Sequence, residues 1–145
     1  MSNNKYIQLV ENLFDDVFSG GSPSHLEKYF TEDVKIYDPA TPKVTSGLEN
    51  FKKIEAQYQQ AFPDKKATIK EIYVLDDKVF VNWYCEGHHK GNLAGYPATG
   101  NHFKITGFTI YGFSKDGKIQ SVNQLWDRLA LMEQIGQVNP ITISS

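Results

Sequence analysis

In two places the first half of the chain repeats its apolar side chains every three to four residues. One repeat runs from Ile7 to Phe18 and the other from Leu48 to Phe62, and each predicts a helix with a single buried stripe. Pro63 ends the second helix, because a proline disfavours helical backbone in the residue before it. Ser46 and Glu49 have the spacing of a capping box and predict where that helix begins.

A short helix and a strand are predicted between these two helices. Ser24 and Glu27 repeat the capping-box spacing, and the apolar residues that follow predict a helix reaching Phe30. The stretch DVKIYDP, residues 33–39, then predicts a brief strand that Pro39 stops.

The second half of the chain changes to a period of two, which is typical of strands. Two hairpins are predicted, with turns at Asp76–Asp77 and at residues 115–117. Residues 91–101 are rich in glycine and small side chains, which predicts a mobile loop over one end of the sheet. The four predicted antiparallel strands cover residues 67–75, 78–89, 102–113 and 118–126.

Helices followed by a long antiparallel sheet, without a repeat or a linker, indicate one α+β domain over residues 1–145. We expect three N-terminal helices to cover one face of a curved sheet, so that its concave face encloses a cavity. Aromatic residues make up 13% of the chain, which is more ring area than a bare core requires and fits an apolar cavity.

Charge and cysteine content narrow the function classes. The formal net charge is -2 and no basic run is present, which disfavours nucleic acid and anionic membranes as partners. No apolar run approaches spanning length, and the first residues do not form a secretory signal. Cys85 is the only cysteine, which excludes an internal disulfide and a multi-cysteine metal site. We expect a cytoplasmic protein.

Five short motifs, read in order, resemble the SnoaL-like polyketide cyclases, a family of the nuclear transport factor two-like superfamily. The resemblance implies a cone-shaped curved antiparallel sheet with helices packed on it, in an α+β barrel that holds a small apolar ligand. It also implies chemistry without a cofactor and a homodimer formed through the sheet. The motifs are YDP at 37–39, AFPD at 61–64, GHHKG at 87–91, DGKI at 116–119 and WDRLALMEQIG at 126–136.

The catalytic positions of that family carry different residues in this chain. Characterised cyclases use an aspartate on the last long strand and a histidine on the strand before it, and these positions fall on Gln124 and Ile110. A carboxamide cannot exchange a proton near neutral pH, so Gln124 is limited to hydrogen bonding. It is predicted either to orient a ligand oxygen or to satisfy backbone groups in the cavity wall.

Alternation along residues 78–89 predicts that Trp83 and His89 face the cavity and that His88 faces away. His89 is therefore a candidate base, since histidine titrates near neutrality. The alternative is that His89 stabilises the following loop through hydrogen bonds. Adjacent histidines on a strand point to opposite faces, and no ligand pair has metal-motif spacing, so we predict no metal site.

Two aspartates have competing interpretations. Asp38, at the end of a strand and near the expected aromatic cavity, is a second candidate base. Alternatively its side chain bonds the backbone of Ala40 or Thr41 in a turn. Asp127 precedes an amphipathic helix and is predicted to cap it.

Seven large side chains are predicted to contact the ligand, although any of the aromatic ones could belong to a plain core. We expect a flat or polycyclic, mostly apolar carbonyl compound, resembling a polyketide or a steroid, with one or two oxygens that meet Gln124, His89 or Asp38. Two functions fit: an enzyme for cyclisation, isomerisation or hydrolysis, or a binding or dimerisation module that lost catalysis. The predicted contact residues are Tyr37, Tyr58, Phe62, Trp83, Phe108, Ile110 and Trp126.

Overall fold

The computed structural model describes the backbone of residues 3–140 and the side chains of residues 5–140. Its α-helices are α1 (Asn3–Asp16), α2 (Leu48–Ala61) and α3 (Arg128–Gln134), and a 3-10 helix covers Pro23–Lys28. Its strands are β1 (Phe30–Tyr37), β2 (Thr45–Ser46), β3 (Lys66–Leu75), β4 (Lys78–His88), β5 (His102–Phe113) and β6 (Ile119–Trp126).

All six strands form one curved, open sheet in the order β2-β1-β6-β5-β4-β3. The four long strands β3 to β6 pair antiparallel through the two predicted hairpins, and β1 joins β6 in parallel. The predicted α+β architecture is confirmed. Parallel pairing carries the end of β1 to the same edge as the end of β6, with Tyr37 opposite Asn123.

The predicted starts of two helices are corrected. Ser22, not Ser24, caps the 3-10 helix, since its hydroxyl accepts from the Ser24 N–H. That helix ends at Lys28, and Phe30 begins β1. Ser46 belongs to β2 rather than capping α2, where Gly47 stands in its place at a φ of 92°. Glycine has no Cβ and adopts this conformation at little cost, which permits the sharp passage from β2 into α2.

Alternation along β5 decides which side chains reach the interior. Ile105, Thr109 and Tyr111 are buried on the concave face, and Phe108 points to the opposite, outer face with 58% of its surface exposed. The buried side chains form two clusters, one under α1 and α2 and one under α3. Trp83 contacts both clusters. The helices therefore close the concave face, which is where a cavity can form.

The loop of residues 91–101 packs on the end of α2. The backbone N–H groups of Lys90 and Gly91 both donate to the Ala61 carbonyl at 3.0 Å, and the Leu93 side chain is buried beside them. The loop thus covers one end of the sheet, as expected. In residues 3–140 no helix is long and apolar enough to cross a membrane.

Candidate functional site

A cavity of about 170 Å³ lies between the concave face of the sheet and the helices. Its wall is mostly apolar, and its acidic and basic side chains lie in two places, around Asp38 and around Glu55. Four of the expected aromatic contact residues lie on this wall. The aromatic side chains that line it are Phe14, Phe18, Phe51, Tyr58, Phe62, Trp83, Phe103, Tyr111 and Trp126.

The Asp38 carboxylate accepts three hydrogen bonds. Its Oδ1 accepts from the Ala40 N–H at 2.8 Å, which is the turn contact that the sequence predicted. Its Oδ2 accepts from Gln124 Nε2 and from Trp126 Nε1, each at 2.9 Å. All three contacts use the carboxylate as an acceptor. Asp38 is therefore a fixed carboxylate on a mostly apolar cavity.

Gln124 reaches the cavity because β6 alternates Val122, Gln124 and Trp126 onto the concave face. Its amide donates to a side chain, Asp38, rather than to the backbone groups that one interpretation of the sequence favoured. Gln124 and Trp126 are two residues apart on one strand face, so their donors converge on one oxygen. Position 124, where the resemblance predicts a catalytic aspartate, thus holds an amide that orients the Asp38 carboxylate at the end of β1.

Glu55 and Lys65 form the second polar group, which the sequence analysis missed. The Glu55 side chain is only 17% exposed, and its Oε2 lies 3.9 Å from Lys65 Nζ. Burial raises the pKa of Glu55, and the lysine charge opposes that rise. A helical wheel contains the missing signal, because Leu48, Phe51, Glu55 and Tyr58 follow the spacing of one buried face.

Trp83 lies flat across the floor of the cavity. Its indole Nε1 donates to Thr109 Oγ1 at 2.8 Å, and its ring covers Gly107, where a Cβ would overlap it. Burial raises the pKa of the neighbouring Cys85 thiol to about 11, so the thiol stays protonated and a weak nucleophile. Burial also raises the pKa of Tyr111 above its usual range.

His89 does not lie on the cavity, contrary to the expected placement. It is fully buried under the loop of residues 91–101, where its Nδ1 accepts from the Thr99 N–H at 3.3 Å. Its ring packs against Phe62, with the ring centroids 5.6 Å apart. The strand ends at His88, so alternation no longer directs the next side chain. The contacts of His89 are those of the loop-stabilising alternative.

Three expected contact residues lie elsewhere. Tyr37, Phe108 and Ile110 line a groove of about 500 Å³ on the outer face of the sheet. Phe108 and Ile110 lie on β5, which carries apolar side chains on both faces, so hydrophobicity alone does not identify the concave one. Tyr37 is the last residue of β1 and is exposed. Asp38 and Gln124 line the groove as well as the cavity, and they therefore stand where the two meet.

Two further expectations concern His88 and Asp127. His88 lies on the outer face, where its Nδ1 is 2.7 Å from Asp64 Oδ2. Asp127 caps α3 as predicted, since its Oδ1 accepts from the Ala130 N–H at 2.9 Å. Over residues 5–140, no group of three or more His, Cys, Asp or Glu side chains is arranged to hold a metal ion.

Solved structures from several bacteria share this fold. A candidate SnoaL-like polyketide cyclase from Jannaschia sp. CCS1 is 20% identical, with a TM-score of 0.85 over 97% of this chain and 98% of that one. AclR, a candidate hydroxylase from Streptomyces galilaeus, is 19% identical, with a TM-score of 0.85 over 97% and 87%. A candidate polyketide cyclase from Acidithiobacillus ferrooxidans is 26% identical, with a TM-score of 0.80 over 94% and 99%.

These likenesses confirm the predicted nuclear transport factor two-like fold. Comparison with curated protein sequences finds no match. The family model for the SnoaL-like polyketide cyclases matches residues 8–135, which is most of the chain and includes both polar groups of the cavity. The chain belongs to the SnoaL-like polyketide cyclase family.

Proposed function

We propose that this protein catalyses acid-base chemistry without a cofactor on a small, mostly apolar carbonyl compound, with Asp38 as the base. The observation that carries the proposal is the Asp38 carboxylate, which Gln124 and Trp126 hold at the wall of an apolar cavity. A base in such a place is oriented by hydrogen bonds.

In the proposed step, the Asp38 carboxylate takes a proton from the carbon next to the substrate carbonyl. The electron pair of that C–H bond forms a C=C bond, and the carbonyl pair moves to the oxygen. Asp38 then returns the proton to another carbon, which completes an isomerisation. Alternatively, the enolate carbon attacks a second carbonyl of the same molecule and closes a ring; the π electron pair of that second carbonyl moves to its oxygen, which takes the proton back from Asp38. Neither route requires an oxidant or a metal ion.

The size of the cavity supports a smaller ligand than the sequence suggested. A cavity of about 170 Å³ is close to the roughly 150 Å³ that encloses benzene in another protein, and well below the roughly 300 Å³ at which drug-sized pockets begin. The enclosed part of the ligand is therefore about one ring. A polycyclic compound would extend out of the cavity.

The test uses a β,γ-unsaturated cyclohexenone, whose conversion to the α,β-unsaturated isomer is followed by absorbance. We expect Asp38→Asn to lower kcat by at least about 100-fold, the usual contribution of a general base. Asp33→Asn is the matched control, because Asp33 is exposed on the same strand. Equal rates for Asp38→Asn and the wild type would reject Asp38 as the base.

A binding module without catalysis is the second candidate. It is favoured by the same three hydrogen bonds, which satisfy Asp38 even without a substrate. A module would bind cyclohexenone, as measured by calorimetry, but would not convert it. In that case Asp38→Asn would change the affinity for cyclohexenone, and neither the variant nor the wild type would convert it.

We also propose that the protein forms a homodimer through the outer face of the sheet. The face carries Asn82 and Tyr84, which alternate with the inward-facing Trp83, and exposed apolar side chains at Phe108 and Leu125. These last two are cross-strand partners, so they form one continuous patch. A patch of this kind supports association because contact removes apolar surface from water.

A further inference from the structure

The carboxyl group of Glu55 has no part in the reaction proposed for Asp38. It lies on the buried face of α2 and lines the same cavity as Asp38. Among residues 5–140 no hydrogen bond reaches its carboxyl oxygens, and the one ion-pair contact, to Lys65 Nζ, is long at 3.9 Å. A buried polar group is normally hydrogen-bonded inside the protein, so a free carboxyl group on a cavity wall is available to a ligand.

We propose that Glu55 is the proton donor to the substrate oxygen and that it works opposite Asp38. This inference rests on the proposed function and adds a proton donor to the proposed base. As Asp38 takes the proton from carbon, the carbonyl oxygen gains the electron pair and takes the Glu55 proton. A neutral enol results. When Asp38 returns its proton to carbon, the enol O–H returns its proton to Glu55, so both side chains are restored.

The surroundings of the two carboxyl groups are suited to opposite roles. Asp38 accepts three N–H donors, which hold its carboxylate in a fixed orientation on the cavity wall. Burial raises the pKa of Glu55, which favours a carboxylic acid that can give one. Two cavity carboxyls whose environments separate their roles form an acid and base pair.

The neighbours of Glu55 simplify the test. Tyr58 on its own helix, Cys85 on β4 and Tyr111 on β5 all have a pKa raised by burial, so they stay uncharged near neutral pH. Lys65 supplies the nearby positive charge, and Asp38 lines the same cavity. A change in ligand binding between about pH 5 and pH 9 that depends on residue 55 therefore reports the Glu55 carboxyl itself.

Phenol is the probe, since it is a single ring of the right size that resembles the enol and stays neutral below about pH 9. Binding is measured by calorimetry for the wild type, Glu55→Gln and Glu55→Leu. We expect Glu55→Leu to weaken binding about tenfold through the loss of one hydrogen bond, and Glu55→Gln to weaken it less because its amide still donates. Glu49→Gln is the control, because Glu49 is 82% exposed on the same helix.

The pH dependence separates a proton donor from a packing role. Wild-type affinity for phenol should rise as pH rises and Glu55 loses its proton, because the carboxylate accepts the phenol O–H as it would accept the enol O–H, whereas Glu55→Gln should give a flat profile. Lys65→Met should move the wild-type midpoint to higher pH, because the lysine charge favours the ionised carboxyl. Equal profiles for the wild type and Glu55→Gln would overturn the proposal, and so would a wild type that does not bind phenol.

Failure of the Glu55 role and failure of the Asp38 role give different results. If Asp38→Asn converts cyclohexenone as fast as the wild type, the base assignment fails, whatever phenol binding shows. If phenol binding depends on Glu55 as expected and no enzyme form turns over cyclohexenone, Glu55 is a ligand donor in a binding module, and its role as a proton donor is rejected.

Discussion

Gln124 Nε2 lies 2.9 Å from Asp38 Oδ2, so an amide on β6 holds a carboxylate at the end of β1. The parallel pairing of β1 with β6 brings these residues together, although they are 86 positions apart in the chain. By resemblance, the catalytic aspartate of the family falls at position 124. In this chain a different carboxylate, Asp38, lies on the same cavity at the end of the neighbouring strand β1. The Gln124 amide therefore holds the Asp38 carboxylate in position.

Gln124→Leu should destabilise the protein by about 1.5–3 kcal/mol. It removes one hydrogen bond to a charged group and leaves Asp38 Oδ2 with the Trp126 donor alone. Urea unfolding followed by circular dichroism measures the free energy change. In the Asp38→Ala background the same substitution should cost under about 0.5 kcal/mol, because the partner is already gone.

Gln120→Leu serves as the control, since Gln120 is exposed on the same strand. It should change stability by less than about 0.5 kcal/mol. Equal costs for Gln124→Leu with and without Asp38 would show that the contact does not couple the two residues.

Asp64 should stabilise the protein in a pH-dependent way. Partial burial alone would raise its pKa, but hydrogen bonds from the His88 backbone and ring outweigh burial and hold the pKa at about 2. The folded pKa is below the ordinary value of 3.8, so this stability is fully present above about pH 4 and is lost as pH falls through about 2. Asp64 is 35% exposed, and solvent screening limits the expected effect to about 1 kcal/mol.

The measurement compares urea unfolding of the wild type and Asp64→Asn between about pH 2 and pH 6. The difference should be about 1 kcal/mol at the upper end and should vanish at the lower end. Asp116→Asn, in the exposed turn between β5 and β6, should follow the wild type at every pH. A deficit for Asp64→Asn that persists unchanged at about pH 2 contradicts the charge-based explanation.

Phe108→Glu should weaken the proposed dimer by at least about tenfold. The side chain is 58% exposed on the outer face and is paired with Leu125, so a charge there would have to be desolvated on association. Analytical ultracentrifugation over a range of concentrations measures the dissociation constant. Leu129→Glu is the control, because Leu129 is 50% exposed on α3 and lies off the sheet. A wild type that is monomeric at high micromolar concentration would exclude this dimer.

Local patterns predicted the strands well and the site only in part. Period two along β4 correctly turned Trp83 inward, because the inner positions of that strand are the more apolar ones. On β5, where the resemblance suggested Ile110 and aromatic content suggested Phe108, both side chains are apolar but face outward. Glu55 escaped notice because it is charged, although its helical position is a buried one.

The contacts between Asp38 and its two side-chain donors, Gln124 and Trp126, could not be predicted at all. They depend on the register of a parallel strand pair, and residues far apart in sequence carry no local signal of that register. His89 illustrates a related limit. Alternation predicts its direction only while the strand continues, and β4 ends one residue earlier. The fold follows from repeated local patterns, whereas the site depends on a few nonlocal pairings.

Gly107→Ala should destabilise the protein by about 1–3 kcal/mol, the usual cost of overpacking. A Cβ at this position would overlap the Trp83 indole, which cannot move easily because Nε1 is bonded to Thr109. Urea unfolding followed by circular dichroism measures the change. In a Trp83→Phe background the smaller ring leaves room for the methyl group, so Gly107→Ala should cost much less there. If the cost is the same in both backgrounds, the indole does not press on Gly107, and the cavity floor is not built as the structure shows.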